Sequence, residues 1–93
     1  MTRTYTVVLL KDADGGYGVH VPAIPGCYSQ GDNLAHALAM AREAIELHLE
    51  VTVEDGEPVP RDTHDFRLRM NGAKSGVIRR VQVMVPEAVQ VAS

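Results

Sequence analysis

The spacing of apolar residues along the chain shifts from a period near two to one near 3.6, and later back to two. Residues 4–10 (TYTVVLL) are rich in β-branched and aromatic side chains and predict a strand. Asp14-Gly15-Gly16 follows, a run that tolerates positive φ. Residues 17–21 (YGVHV) then alternate, with Tyr17, Val19 and Val21 on one face and Gly18 and His20 on the other. The two runs predict a hairpin. Pro22 removes a ladder donor and ends the second strand, and Pro25 holds Ile24 extended. Gly26 permits a tight turn, so the two prolines predict a rigid corner with Ile24 as an apolar plug. Residues 27–31 (CYSQG) predict a short third strand.

Beyond Gly31 the period lengthens. Leu34, Leu38, Ala41, Ile45, Leu49 and Thr52 recur at helical spacing, so residues 34–50 predict one helix with a buried stripe. Asn33 stands at the N-cap position, and Asp32 lies where the helix dipole favours an anion. Gly56 is a stop signal, and the β-branched residues 51–53 (VTV) are expected to fray before it. Arg42, Glu43, Glu46 and Glu50 are expected on the exposed face. Pro58 and Pro60 mark a linker. Residues 66–70 (FRLRM) alternate again, and residues 77–85 (VIRRVQVMV) predict a further strand with Val81, Val83 and Val85 on one face. The expected fold is α+β, with element order β-β-β-α-β(-β): a small sheet with one main helix packed on one face.

Composition narrows the function classes. The chain has 93 residues, enough for one small domain with a limited core. No apolar run approaches the ~20 residues of a membrane span, and the apolar part of MTRTYTVVLL is too short for a signal peptide. Cys27 is the single cysteine, which excludes an intrachain disulfide and suits a reducing cytoplasm. Residues 1–60 carry three basic and nine acidic residues, and residues 61–93 carry six basic and three acidic. The acidic first part argues against a phosphate backbone as its partner and suits a basic protein. Charge imbalance serving solubility alone is the competing account.

Candidate chemistry is sparse. His36 and His48 are twelve residues apart, about three helical turns, and cannot share a metal. His20 lies on a strand and His64 in the linker. Cys27 has no basic neighbour in sequence to activate it, so a buried apolar role is expected. Asp12 and Asp14 occupy a turn, where Asp is common for backbone reasons. With Asp32 and Glu43 they form no evident metal-holding cluster, so no catalytic residue, metal or cofactor is expected. Arg67, Arg69 and Arg79 or Arg80 could form a basic stripe, but aromatic side chains for base stacking are missing there. Arginine guarding an exposed sheet is the simpler account.

Taken together, DGGYGVHVPAIPGCYSQGDNLAHALAMAREAIELHLE and EDGEPVPRD resemble the HicB antitoxin family in the order and spacing of their motifs, over about residues 5–62. The resemblance implies a partial ribonuclease H-like fold. It also implies a partner, a small basic HicA-like toxin that cleaves mRNA, which the antitoxin neutralises by masking its RNA-binding or active site. No enzymatic activity is implied. The family often pairs Thr with a Glu three residues later at the helix start. Asn33 and His36 stand here instead, so the cap is expected to survive and the back-bond to be lost. Many members append a DNA-binding module. Only eight residues follow Val85, so residues 1–93 are expected to form a single domain, without direct DNA binding. If a basic toxin binds, the expected contact residues are Tyr17, His20, Tyr28, Glu43, Glu46 and Glu50. Self-association through an exposed sheet edge is also expected. Two alternatives from other classes remain: a metal-dependent ribonuclease H-like nucleic-acid hydrolase, and a solo oligomerisation or small-ligand-binding domain.

Overall fold

A computed structural model describes residues 1–63 and 76–86. Its elements are β1 (Thr2–Lys11), β2 (Tyr17–His20), β3 (Tyr28–Gly31), α1 (Leu34–Glu54) and β4 (Gly76–Met84). The strands form one sheet in the order β3-β2-β1-β4, every neighbouring pair antiparallel. The helix packs on one face of it, which is the expected α+β arrangement. The strand expected over residues 66–70 lies outside the described residues.

Directly opposed residues of an antiparallel pair share a face of the sheet. The register therefore gathers Tyr5, Leu9, Val19, Val81 and Val83 on the helix side, with Val7 two residues along from Tyr5. They pack against Ala37, Ala41, Ile45 and Leu49 of α1 to form the core. The stripe expected from Leu34 and Leu38 is thus rotated. Both leucines are half-buried flanks, and Ala37 takes the centre.

Gly31 explains the rotation. A Cβ built on it would overlap the backbone of Ala37 and lie 2.9 Å from the Ala37 Cβ. The helix backbone rests directly on the end of β3, an approach that only glycine on the strand and a small residue on the helix allow. Neither a leucine nor a β-branched residue fits between them.

The two-proline corner is a pair of consecutive turns. Ile24 N–H donates to Val21 O at 3.0 Å, and Cys27 N–H donates to Ile24 O at 3.0 Å. Each proline occupies the second position of its turn, where its fixed φ is preorganised. In the second turn Gly26 follows with φ 84°, as a type II turn requires. Ile24, held between the turns, is buried in the core as expected.

Both helix ends are closed by side-chain or backbone bonds. Asn33 Oδ1 accepts from His36 N–H at 2.9 Å, the expected cap. The back-bond to the cap residue itself is replaced by a different one: His36 Nδ1 accepts from Asp32 N–H at 3.0 Å. The imidazole stands in for the usual carboxylate and reaches one residue further back. At the other end, α1 continues through residues 51–53 to Glu54 and does not fray. Glu57 N–H donates to Thr52 O and Gly56 N–H to Val53 O, with Gly56 at φ 72°. This is a Schellman closure, and it holds the β-branched turn in place.

After the helix, residues 57–63 cross beside β1. Strand β2 pairs only with the Val8–Lys11 half of β1, so among the described residues Thr6 has no strand partner on that side. The Asp62 carboxylate supplies one, accepting from Thr6 N–H and from Thr6 Oγ1, each at 2.8 Å. Tyr5 Oη donates to Pro60 O at 2.5 Å.

Two predictions follow from this packing. Gly31→Ala must push α1 off β3, and overpacking of this kind costs about 1–3 kcal/mol. Urea denaturation should show a lower midpoint for it, while Gly18→Ala, whose added methyl meets only Leu10 O at 3.9 Å, should change little. An unchanged Gly31→Ala midpoint would contradict the contact. The second concerns pH. Burial pushes the Cys27 thiol above its ordinary 9.0. Burial also pushes the Tyr5 phenol above 10.0, with Asp62 adding to the shift and Arg3 opposing it. Groups with raised folded values stabilise fully below their unfolded values, and that contribution is lost as pH rises through the folded ones. The denaturation midpoint should therefore be flat with respect to these groups up to about pH 9 and fall above it, with Cys27→Ala reducing the fall.

Candidate partner-binding surface

The helix buries the stripe through Ala37, Ala41, Ile45 and Leu49. Leu47 lies two residues from both Ile45 and Leu49, about 200° around the helix, and so points away from the core. It is 62 % exposed, and Val51, one turn on, is 49 % exposed. Tyr28, at the start of edge strand β3, is 64 % exposed. These three residues line one groove between β3 and the flank of α1, with Cys27, Ala44 and His48 deeper in it. The Tyr28 ring is steadied by His20, edge to face with centroids 5.0 Å apart.

The rim of this strip is acidic. Asp55 and Glu57 close one end of the groove. Glu43 and Glu50 stand four residues before and three after Leu47, on the same helix surface, and both are exposed. No basic residue sits in the last turn of α1 to offset Glu54 or the negative end of the helix dipole. An exposed apolar strip inside a charged rim has the anatomy of a protein-binding surface.

The six residues expected to touch a partner are distributed over three places. His20 and Tyr28 are together, Glu43 lies on the outer surface of α1 beside Leu47, and Glu50, also next to Leu47, reaches toward the groove that α1 forms with β4. Tyr17 is half-buried at the far end of the hairpin, on the helix side of the sheet, packed against the core. Glu46 turns to the other flank of α1, where it accepts from Met84 N–H at 2.7 Å and faces Arg42 Nε at 3.5 Å. Leu47 and Val51 were not among the expected residues. The available signal was an apolar pair at i and i+4 lying off the buried stripe.

Groups that could do chemistry do not converge. Asp12, Asp14, Asp32 and His36 line a second groove. Among the described residues, however, no group of three or more His, Cys, Asp or Glu could hold a metal ion. The buried Cys27 thiol, with its pKa pushed up, is the reverse of an activated nucleophile. Arg79 and Arg80 lie opposite Val7 and Thr6 and so on opposite faces of the sheet. Arg67, Arg69 and His64 lie outside the described residues. Among the described residues no helix is long and apolar enough to cross a membrane.

Known proteins resemble this chain in sequence or in fold. A UPF0150 protein of Thermoplasma acidophilum is 47% identical over 58 residues, covering 62% of this chain and 84% of that protein. The crystal structure of the N-terminal domain of the Burkholderia pseudomallei antitoxin HicB superposes with a TM-score of 0.67 at 29% identity, over 85% of this chain and 95% of that one. A chain of a HicA3 and HicB3 toxin–antitoxin complex has the same fold, with a TM-score of 0.61 at 21% identity, over 88% of this chain and 99% of that one. Residues 5–91 match the family model described as "HicB_like antitoxin of bacterial toxin-antitoxin system". The chain belongs to this family of HicB-like antitoxins.

Proposed function

We propose that the protein captures a basic HicA-like toxin and neutralises it by covering the toxin's RNA-contacting surface, with no catalysis of its own. The observation that supports this reading is the strip of Tyr28, Leu47 and Val51 inside its acidic rim. Apolar and aromatic residues at the centre of an interface supply most of the binding energy, and rim charges supply steering and selectivity. Glu43, Glu50, Asp55 and Glu57 would attract a surface built to hold RNA phosphates, because that surface is itself rich in Lys and Arg. Glu50 and Glu54 are a like-charged i,i+4 pair, and Glu54 lies at the negative end of the helix dipole, so a cationic partner relieves repulsion there. Occupying the toxin's basic face in this way excludes RNA by competition for the same charges. The reading implies a cytoplasmic protein, where mRNA is available to the toxin.

The contact set on this reading is Tyr28 braced by His20, Leu47 and Val51 at the centre, and Glu43 and Glu50 at the rim. Tyr17 and Glu46 sit outside it. The test is co-expression with a HicA-like toxin, followed by co-purification and binding kinetics. The association rate should fall as salt rises. Tyr28→Ala and Leu47→Ala should each weaken binding by roughly tenfold or more, and Glu43→Ala by less than about fivefold. Both central residues are exposed, so circular dichroism of these variants should match the parent. Folded Tyr28→Ala and Leu47→Ala variants that bind as tightly as the parent would refute the proposed surface.

A further inference from the structure

We infer that the groove beside Leu47 and Val51 takes an arginine side chain of the partner, with Asp55 and Glu57 as the residues that select it. This names the group that enters the surface proposed above, and so rests on that reading.

The walls of the groove suit the stem of a long side chain. Ala44, Leu47 and Val51 supply an apolar wall along one flank of α1. Thr52 and Asp55 continue it, and no Lys or Arg lines it. Val51 and Asp55 are one turn apart, about 6 Å along the helix axis. An arginine stem laid over Val51 therefore brings its charged head to Asp55. Glu57 joins Asp55 there because the helix closure folds the chain back. Glu57 N–H donates to Thr52 O at 3.0 Å, with Gly56 at φ 72°. A residue beyond the end of the helix is thereby held against its last turn.

This end of the groove offers acceptors. Among the described residues, neither the Asp55 nor the Glu57 carboxylate has a hydrogen bond or an ion pair, in contrast to Glu46 and Asp62. The Thr52 hydroxyl donates to His48 O at 2.9 Å, which leaves its oxygen free to accept. The last turn of α1 holds no basic residue, so the negative end of the helix dipole adds to the same potential. Among the described residues no group of three or more His, Cys, Asp or Glu could hold a metal ion, so the cation that fits is organic. Acceptors contributed by separate residues favour a planar guanidinium, with its fork of donors, over a compact ammonium. Once the apolar wall and the partner exclude water, a carboxylate–guanidinium pair binds more tightly than the same pair on an open rim.

Titration of the isotope-labelled full chain with N-acetyl-arginine methylamide, followed by amide NMR shifts, tests this without the toxin. The shifts should saturate by about 50 mM and fall on Ala44, Leu47, Val51, Asp55 and Glu57. The lysine derivative, which controls for ionic strength, should bind at least about fivefold more weakly. Asp55→Asn with Glu57→Gln should abolish saturation. Asp14→Asn, which removes a charge from the groove at the opposite end of α1, should not. Both groove carboxylates are exposed, so the double variant should keep the circular dichroism of the parent. Its complex with a HicA-like toxin should dissociate about tenfold faster or more. Shifts that do not saturate, equal binding of the lysine derivative, or saturation that survives the double variant would each overturn the inference. A toxin that binds while the arginine derivative does not would overturn it too, yet leave the proposed surface intact. The reverse result would uphold the groove's chemistry and refute the toxin as partner.

Discussion

The contact of Gly31 with Ala37 sets the geometry on which the rest of the molecule depends. Where strand backbone touches helix backbone, the height and rotation of α1 over the sheet are no longer free. The rotation brings Ala41, Ile45 and Leu49 down onto Tyr5, Leu9 and Val83. It also turns Leu47 and Val51 outward beside Tyr28. A bulkier residue at 31 or 37 would lift or roll the helix and bury or scatter that strip. The core and the candidate binding surface are two consequences of one close approach.

A sheet with few strands leaves backbone groups without partners, and this protein answers with carboxylates and guanidinium groups. Asp62 takes the orphaned Thr6 N–H beside the short β2. Glu46 takes Met84 N–H, and Arg79 takes Ile78 O, along the outer side of β4. Charges so placed also discourage unselective edge pairing. Other acids stay outside these bonds, and among them Asp55 and Glu57 close the groove of Tyr28, Leu47 and Val51 while Glu43 and Glu50 neighbour Leu47 on the helix surface. Acidic side chains thus serve the fold at Glu46 and Asp62 and are open to a partner at these positions.

What could be read in advance was local. The hairpin followed from Asp14-Gly15-Gly16 between β-rich runs. The corner followed from the φ preferences of Pro22, Pro25 and Gly26, and the helix start from Asn33. Each is a contest among a few neighbouring dihedrals. The departures came from contacts distant in sequence or from unusual chemistry. Asp62 reaches a residue 56 positions away, and Glu46 one 38 positions away, so no spacing rule points to either. The bond from Asp32 N–H to His36 is not expected because the familiar acceptor at that position is Glu, although an imidazole nitrogen also accepts. The VTV turn was expected to fray on propensity alone, and the Schellman closure at Gly56 outweighs that propensity. Leu47 gains meaning only from Tyr28 and Val51 beside it, because an isolated exposed leucine is ordinary.

The central claim is that this protein silences a toxin by occupying its RNA-contacting face and performs no chemistry itself. RNA cleavage by the purified cognate toxin, followed while this protein is titrated in, tests that directly. The account predicts that cleavage falls in proportion to the complex formed and stops at equimolar protein. It also predicts that added RNA competes with complex formation and that the toxin is recovered intact and active after separation. Cleavage that continues in the saturated complex, or RNA that binds the complex as tightly as the free toxin, would contradict it.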